Sequence, residues 1–225
     1  MPVVGHDGHL PALPSGRLNA SALVARFSHG RSLGRPFEPE FGGDARPLPT
    51  DRAPRDAAVL VPLVERDSGL TVLLTRRTEH LRDHAGQISF PGGGVEPGDG
   101  SAVATALREA EEEVGLARGH VSVIGELPLY QTITGFRVTP VVALVQPGFE
   151  LALDSFEVAE AFEVPLTYLM TPAHHQRHLF SFDGVQRQFL SMPWQGAGTN
   201  GEPREYFIWG ATAAMLRNLY RFLAD

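Results

Sequence analysis

The chain has 225 residues, no cysteine and a formal net charge of −7 at pH 7. The lack of cysteine excludes disulfides, iron–sulfur clusters and thiol nucleophiles, and the lack of lysine excludes Schiff-base chemistry and a GxxxxGK[ST] phosphate loop. A uniformly acidic surface repels nucleic acid, anionic membranes and, unless metal ions mediate, phosphorylated substrates. With no secretory signal and no apolar run of about 20 residues, we expect a cytoplasmic protein that binds neither nucleic acid nor membranes.

Two parts of the chain differ in composition. Residues 1–56 are rich in Pro, Gly and Arg and are predicted to form an extension with one short helix, capped by Asn19, and a surface connector. Residues 57–225 carry the regular apolar patterns and are predicted to form the main domain. This length suits one domain with additions.

The main domain is predicted to mix strands and helices. Its predicted elements are a hairpin (57–64 and 70–75), a short apolar segment (88–90), a helix (101–114), two strands (121–125 and 138–145), a helical or loop segment (157–162), a short strand (163–166), a loop region (171–203), a last strand (206–209) and a closing helix (211–223). Such a mixture is typical of an α/β or α+β domain.

The helix at 101–114 has an apolar face and an acidic face. At about 100° per residue its apolar residues form one stripe, and Glu109, Glu112 and Glu113 fall on an adjoining arc. Carboxylates at i, i+3 and i+4 repel one another, and a hard cation such as Mg²⁺ or Mn²⁺ removes that repulsion. A solvated acidic face is the alternative interpretation of this pattern taken alone.

Glycines directly before the helix favour the metal interpretation. Five of them lie between residues 92 and 100 and lead into the helix N-terminus. Backbone without side chains approaches a ligand closely, and helix N-terminal amides attract phosphate. A glycine loop followed by clustered carboxylates predicts a site for a metal ion and a diphosphate.

This stretch resembles the Nudix box of the Nudix hydrolases: Gly, five residues, Glu, seven residues, then R-E-U-x-E-E-x-G-U, with U aliphatic. Residues 108–116, REAEEEVGL, match the second half at every position. In the first half, Gly100 stands where the pattern has Glu, and Asp99 is the nearest carboxylate, as if one residue were inserted. The metal-site role of Asp99, and with it that of Glu96, is therefore left open.

The insertion and the flanking segments resemble one subfamily, the coenzyme A pyrophosphatases. Residues 73–93, LLTRRTEHLRDHAGQISFPGG, are similar to the signature that precedes the box in those enzymes, and residues 206–216 are similar to their ending. The resemblance implies a Nudix fold, an α/β/α sandwich around a mixed β-sheet. It also implies hydrolysis, dependent on Mg²⁺ or Mn²⁺, of coenzyme A or its thioesters to 3′,5′-ADP and 4′-phosphopantetheine (or its acyl form).

The resemblance also implies roles for particular residues. Glu109, Glu112 and Glu113 would bind the metal together with the carbonyl of Gly93, and Arg108 would hold the glutamates in place. Diphosphate hydrolysis needs a general base. Glu112, Glu113 and, in the region from which such enzymes often recruit one, Glu157 or Glu160 are the candidates.

A substrate with an additional 3′-phosphate needs positive charge and polar contacts. The residues before the glycine loop that could provide them are Arg76, Arg77, Arg82, His84 and Gln87. Each of them alone could equally be a surface residue. Two other interpretations remain: a Nudix hydrolase for ADP-ribose, NADH or an oxidised nucleotide, and a Nudix-like binding module without catalysis. A homodimer is possible, although no sequence feature identifies an interface.

Most of the negative charge of the chain lies in one short segment. Residues 96–113 contain six carboxylates against Arg108 alone, whereas residues 1–56 are nearly neutral. The acidity that would exclude a phosphorylated substrate is therefore concentrated where a metal site is predicted.

Overall fold

A computed structural model of the chain describes residues 2–32, 37–44, 53–81, 84–182, 185–198 and 201–225. Its strands and helices are β1 (Val3–His6), α1 (Ala20–Ser32), β2 (Arg55–Arg66), β3 (Gly69–Arg77), β4 (Ile88–Ser89), β5 (Gly92–Gly94), α2 (Ala102–Val114), β6 (Val121–Glu126), β7 (Tyr130–Gln131), β8 (Phe136–Val145), β9 (Val158–Pro165), α3 (Leu166–Leu169), β10 (Gln176–Phe182), β11 (Val185–Ala197), β12 (Pro203–Trp209) and α4 (Gly210–Ala224).

The central sheet is mixed and is built around the predicted hairpin, β2 and β3. Its order is β4-β3-β2-β8-β6, and β5, β7 and β9 pair with β2, β8 and β3 respectively. The β2–β8 pair is parallel, and the other pairs are antiparallel. Strand β2 is apolar along nearly its whole length because both of its faces are covered.

Helices cover both faces of this sheet, which gives the predicted α/β/α sandwich. On one face Ala106, Ala110 and Val114 of α2 pack against Leu60 and Val141 of the sheet. On the other face the larger apolar cluster includes residues of α1 and α4. Among the described helices, α2 is the one that packs on the first face of the sheet. Its acidic arc faces the glycine strand β5.

Two predictions for the second half of the chain are wrong. The loop predicted at 171–203 contains β10 and β11, which join β1 and β12 in a second, antiparallel sheet of order β1-β10-β11-β12. The helical or loop segment predicted at 157–162 is the start of β9, which pairs with β3. In the first segment β10, β11 and β12 pair consecutively despite a polar local composition, and in the second β9 pairs with the distant β3.

The extension packs against the rest of the chain. As predicted, Asn19 caps α1, since its Oδ1 accepts a hydrogen bond from the Ala22 amide at 2.9 Å. Phe27 of α1 lies so close to Gly125 of β6 that a side chain on this glycine would collide with the ring. A domain boundary after residue 56 stays a prediction. Among the described residues, no helix combines the length and apolar character needed to cross a membrane.

Candidate active site

Helix α2 begins and ends where the sequence predicts. The Ser101 hydroxyl accepts a hydrogen bond from the Ala104 amide at 3.1 Å and caps the first turn. Gly115 ends the helix with φ of 69°, a left-handed conformation that favours glycine. Burial of Ala106, Ala110 and Val114 against the sheet fixes the rotation of the helix, so that its acidic arc faces the 92–94 strand.

Glu113 is the most deeply buried member of the acidic arc, with 5% of its surface exposed. Its Oε2 accepts a hydrogen bond from the Gly92 amide at 3.1 Å. Burial raises the pKa of Glu113 to about 8, and the nearby carboxylates of Glu109 and Glu157 push it the same way. The anionic form of Glu113 is therefore short of a positive partner.

Glu109 lies directly against the glycine strand. A Cβ atom on Gly93 would come within 2.5 Å of the Glu109 carboxyl carbon, so only glycine leaves room for this carboxylate. Burial also raises the pKa of Glu109. Glu112, in contrast, has 59% of its side chain exposed. The three glutamates thus run from the protein interior to solvent along one edge of β5.

Arg108 connects these glutamates. Its Nη1 donates hydrogen bonds to Glu109 Oε1 at 2.9 Å and to Glu112 Oε2 at 2.8 Å, and its Nη2 donates to the Gly94 carbonyl at 3.0 Å. This geometry agrees with the holding role that the family resemblance implies for Arg108.

Asp99, whose role the sequence leaves open, lies on the other side of the Arg108 guanidinium and forms two hydrogen bonds with it. The Thr105 hydroxyl and the Glu96 amide also donate to Asp99. With its oxygens engaged in this way, Asp99 is placed to position Arg108. No regular spacing indicates this pair in the sequence, because Asp99 reaches Arg108 from the loop that precedes the helix.

Arg77 reaches the same acidic cluster from β3. Its Nη1 lies 3.6 Å from Glu113 Oε1, and its Nη2 lies 3.7 Å from Glu157 Oε2. Both distances exceed those of good hydrogen bonds. The buried Nε of Arg77 has no acceptor among the described residues. Arg77 is therefore a positive group with unused donor capacity, held beside two carboxylates.

Arg76 points away from this cluster, because consecutive residues of a strand face opposite sides of the sheet. Its Nε lies 3.3 Å from Glu160, which Arg204 and Tyr206 also bind, at 2.6 and 2.8 Å. Glu160 borders a cavity of about 340 Å³ that Trp194 and Tyr206 also line. The structure thus separates Arg76 and Glu160 from the α2 carboxylates.

Two further predicted contact residues, His84 and Gln87, lie between β3 and β4. His84 Nδ1 is 2.9 Å from Gln87 Oε1, and the Gln87 carbonyl accepts a hydrogen bond from the Arg77 amide at 2.9 Å. Gln87 is thereby tied to the backbone of Arg77, while His84 is exposed. Arg82 lies outside the described residues.

The donor set suits a hard divalent cation, since carboxylates and a backbone carbonyl are the ligands that Mg²⁺ and Mn²⁺ prefer. Burial raises the pKa of Glu109 and of Glu113, and a bound cation would lower both. Within the part of the chain that is described, no three His, Asp or Glu side chains are grouped so as to hold a metal ion. Arg108 instead occupies the space between Glu109 and Glu112.

Comparison with known proteins supports the resemblance of this site to a Nudix box. Residues 54–187 match the model of the NUDIX domain. The uncharacterized Nudix hydrolase NudL of Escherichia coli K12 / DH10B is 44% identical over 167 residues, which cover 73% of this chain and 81% of NudL. NudL of Shigella boydii serotype 18 is 43% identical over the same coverage.

Solved structures with related folds are more distant. A Caenorhabditis elegans Ap4A hydrolase is 20% identical, with a TM-score of 0.43 over 53% of this chain and 85% of that one. A MutT/nudix family protein from Enterococcus faecalis is 18% identical, with a TM-score of 0.43 over 80% of this chain and 66% of that one. The domain match and the NudL relatives show by themselves that the chain belongs to the Nudix hydrolase family.

Proposed function

We propose that this Nudix hydrolase cleaves the diphosphate bond of coenzyme A or its thioesters. The products would be 3′,5′-ADP and 4′-phosphopantetheine, or the acyl form of the latter. The observation that carries the proposal is the position of Arg77. This residue belongs to the 73–93 segment that resembles coenzyme A pyrophosphatases, and it reaches Glu113 and Glu157 at the acidic cluster.

Glu109, Glu112, Glu113 and the Gly93 carbonyl would hold Mg²⁺ or Mn²⁺. The buried carboxyls with raised pKa values, together with a strand that leaves no room for a side chain, support this set. When bound, the cation would neutralise diphosphate charge and lower the pKa of a coordinated water. Arg108 positions Glu109 and Glu112 through its two Nη1 hydrogen bonds.

Arg77 would bind oxygen atoms of the diphosphate. Its guanidinium is planar, always charged and able to bind phosphate in a bidentate manner. Because its contacts with Glu113 and Glu157 are long and its Nε is unpaired among the described residues, a phosphate could replace them without breaking a strong bond. Gln87, His84 and Arg82 are the further contacts that we propose for the substrate. Arg76 joins them only if it leaves Glu160.

Glu157 is the general base that we favour. Its side chain is 42% exposed and faces Arg77, so it can accept a proton from an attacking water and remain close to the substrate. Glu160 is a poor candidate because Arg76, Arg204 and Tyr206 surround its buried carboxylate. Glu112 and Glu113 would serve as the base only where the metal leaves one of their oxygens free.

Incubation of the purified protein with Mg²⁺ or Mn²⁺ and a substrate panel tests the proposal. The panel contains coenzyme A, acetyl-coenzyme A, ADP-ribose, NADH and oxidised dNTPs, and products are identified by mass. Formation of 4′-phosphopantetheine (or its acetyl form) is expected. Turnover of ADP-ribose, NADH or dNTPs instead would overturn the assignment of coenzyme A as the substrate, whereas the assignment as a Nudix hydrolase would stand. A homodimer stays a prediction, to be checked by light scattering.

A further inference from the structure

Phe156 presents an exposed aromatic ring beside the candidate active site. Its exposure, 64%, is the largest among the large hydrophobic side chains of the described residues. A phenyl ring is usually mostly buried in a folded protein, and an exposed one leaves apolar surface available to a ligand. Nothing in the proposed hydrolytic machinery uses this ring.

The backbone around Phe156 is held in place. Its amide donates to Asp154 Oδ1 at 2.9 Å, and its carbonyl accepts from the Thr78 hydroxyl at 2.8 Å. The Asp154 amide donates in turn to the Glu113 carbonyl at 2.9 Å. The ring is therefore displayed from a segment tied to both α2 and the end of β3. A ring held in this way loses little conformational entropy when a ligand packs against it.

A second exposed ring stands beside it. The centroid of the His80 ring lies 4.8 Å from that of Phe156, and the two planes are inclined by 59°. The inclination leaves a face of the phenyl ring uncovered by His80. Glu157, the next residue after Phe156, faces Arg77. Phe156 directly precedes Glu157, and Thr78, which binds the Phe156 carbonyl, directly follows Arg77, so the segments that carry the two rings adjoin the site that we assign to the diphosphate.

We propose that Phe156, supported by His80, is the stacking platform for the nucleobase of the substrate. A purine ring can stack on an aromatic side chain regardless of the substituents at the edge of the purine. Such stacking contributes to binding without requiring specific hydrogen bonds to the base. The inference rests on the proposed function only in taking the diphosphate site as described. It places the nucleoside half of the substrate on the Phe156 side of that site.

Binding of two diphosphate analogues tests this inference in the presence of Mg²⁺. Adenosine 5′-(α,β-methylene)diphosphate carries the base, and methylenediphosphonate lacks it, so isothermal titration of both isolates the contribution of the nucleoside. We expect Phe156→Leu to weaken the nucleoside analogue by about tenfold or more. The same variant should bind methylenediphosphonate within twofold of the wild type, and Phe156→Trp should keep the wild-type affinity for both. Leu153→Ala, on the same loop with 37% exposure, is the matched control and should change neither affinity.

Three results would overturn the platform. One is full nucleoside affinity in Phe156→Leu, which would indicate a merely apolar contact such as one with an acyl chain. The second is an equal loss for both analogues, which would indicate a structural role. The third is a wild-type protein that binds the nucleoside analogue no better than methylenediphosphonate. Failure to hydrolyse coenzyme A would contradict the proposed function alone, since these affinities do not depend on turnover.

Discussion

Asp99 and Arg108 are joined by two hydrogen bonds, from Nε to Oδ1 at 3.1 Å and from Nη2 to Oδ2 at 2.9 Å. The Arg108 hydrogen bonds hold the pKa of Asp99 well below its usual range. Since the same guanidinium binds Glu109 and Glu112, the position of these two carboxylates depends on Asp99. Asp99, the residue at the insertion in the Nudix box, thus influences the position of the acidic cluster through Arg108.

Replacing Asp99 by asparagine should therefore impair catalysis without unfolding the protein. Asparagine keeps the shape but loses the charge that orients Arg108, and the loss of such a supporting residue typically costs about 10- to 100-fold in activity or metal affinity. The measurements are kcat and a Mg²⁺ titration, with the melting temperature as the test of folding. Thr105→Val, which removes only a hydroxyl donor to Asp99, should have a much smaller effect. Wild-type kcat and Mg²⁺ affinity in Asp99→Asn would refute this role.

The two neighbouring glycines of β5 should respond differently to alanine. At Gly93 a Cβ would lie 2.5 Å from the Glu109 carboxyl carbon, whereas at Gly94 it would meet nothing within 4 Å. Gly93→Ala must displace Glu109, and a shift of about 1 Å in a catalytic constellation can cost on the order of 100-fold in rate. Gly94→Ala should retain kcat within about twofold. Equal activities of the two variants would show that the position of Glu109 does not matter.

Glu112 and Glu111 provide a matched pair on the exposed side of α2. Glu112 joins the Arg108 cluster, whereas Glu111 pairs with Arg118 on the solvent side. Glu112→Gln should lower turnover by about 100-fold or more with the fold intact, because a proposed metal ligand loses its charge. Glu111→Gln should remain close to wild type. Circular dichroism checks folding and electron paramagnetic resonance of Mn²⁺ checks metal affinity. Near-wild-type turnover and Mn²⁺ affinity in Glu112→Gln would exclude it from the metal site.

The sequence predicts α2 and its acidic arc well because both depend on local periodicity. It fails for β10 and β11, which pair with each other and with β12 although their polar, Gln- and His-bearing composition resembles a loop. The separation of Arg76 from Arg77 was missed because the predicted strand ended at residue 75. Once β3 extends to Arg77, the two-residue period of a strand places the two side chains on opposite faces. Asp99 was similarly ambiguous because its partner Arg108 is reached only through the folded loop.

Glu113 should make the metal-free protein less stable as the pH rises. Its pKa is about 8 in the folded chain against about 4.5 for an ordinary glutamate, so between these values the folded state binds more protons than the unfolded state. The free energy of unfolding therefore falls as pH increases from 4.5 to 8. Urea unfolding in EDTA should show this slope in the wild type and a weaker one in Glu113→Gln. Identical slopes in the two proteins would contradict the raised pKa.

A buried ionic network ties the extension to the last helix. Arg217 of α4 is fully buried, with Nε 2.8 Å from Glu40 Oε2 and Nη2 3.3 Å from Asp7 Oδ2. Its Nη1 also lies 2.9 Å from Nδ1 of His175. Burial lowers the pKa of His175 to about 4, so the imidazole is neutral at pH 7 and can accept this hydrogen bond. Arg217 thus joins Asp7, Glu40 and His175 in one network. Arg177 also binds Asp7 and Glu40, and Arg221 also binds Glu40.

Arg217→Met should destabilise the protein by about 3–5 kcal/mol, because it removes a fully buried cation from the buried Asp7 carboxylate and leaves that charge incompletely compensated. Arg118→Met removes an ion pair whose side chains are 52% and 49% exposed and should cost no more than about 1 kcal/mol. Urea unfolding at pH 7 measures both. Arg217→Met should also make residues 2–32 and 37–44 more accessible to proteolysis, because Asp7 and Glu40 lose one of the two arginines that bind them both. Equal stability losses in the two variants would mean that the network does not hold the extension in place.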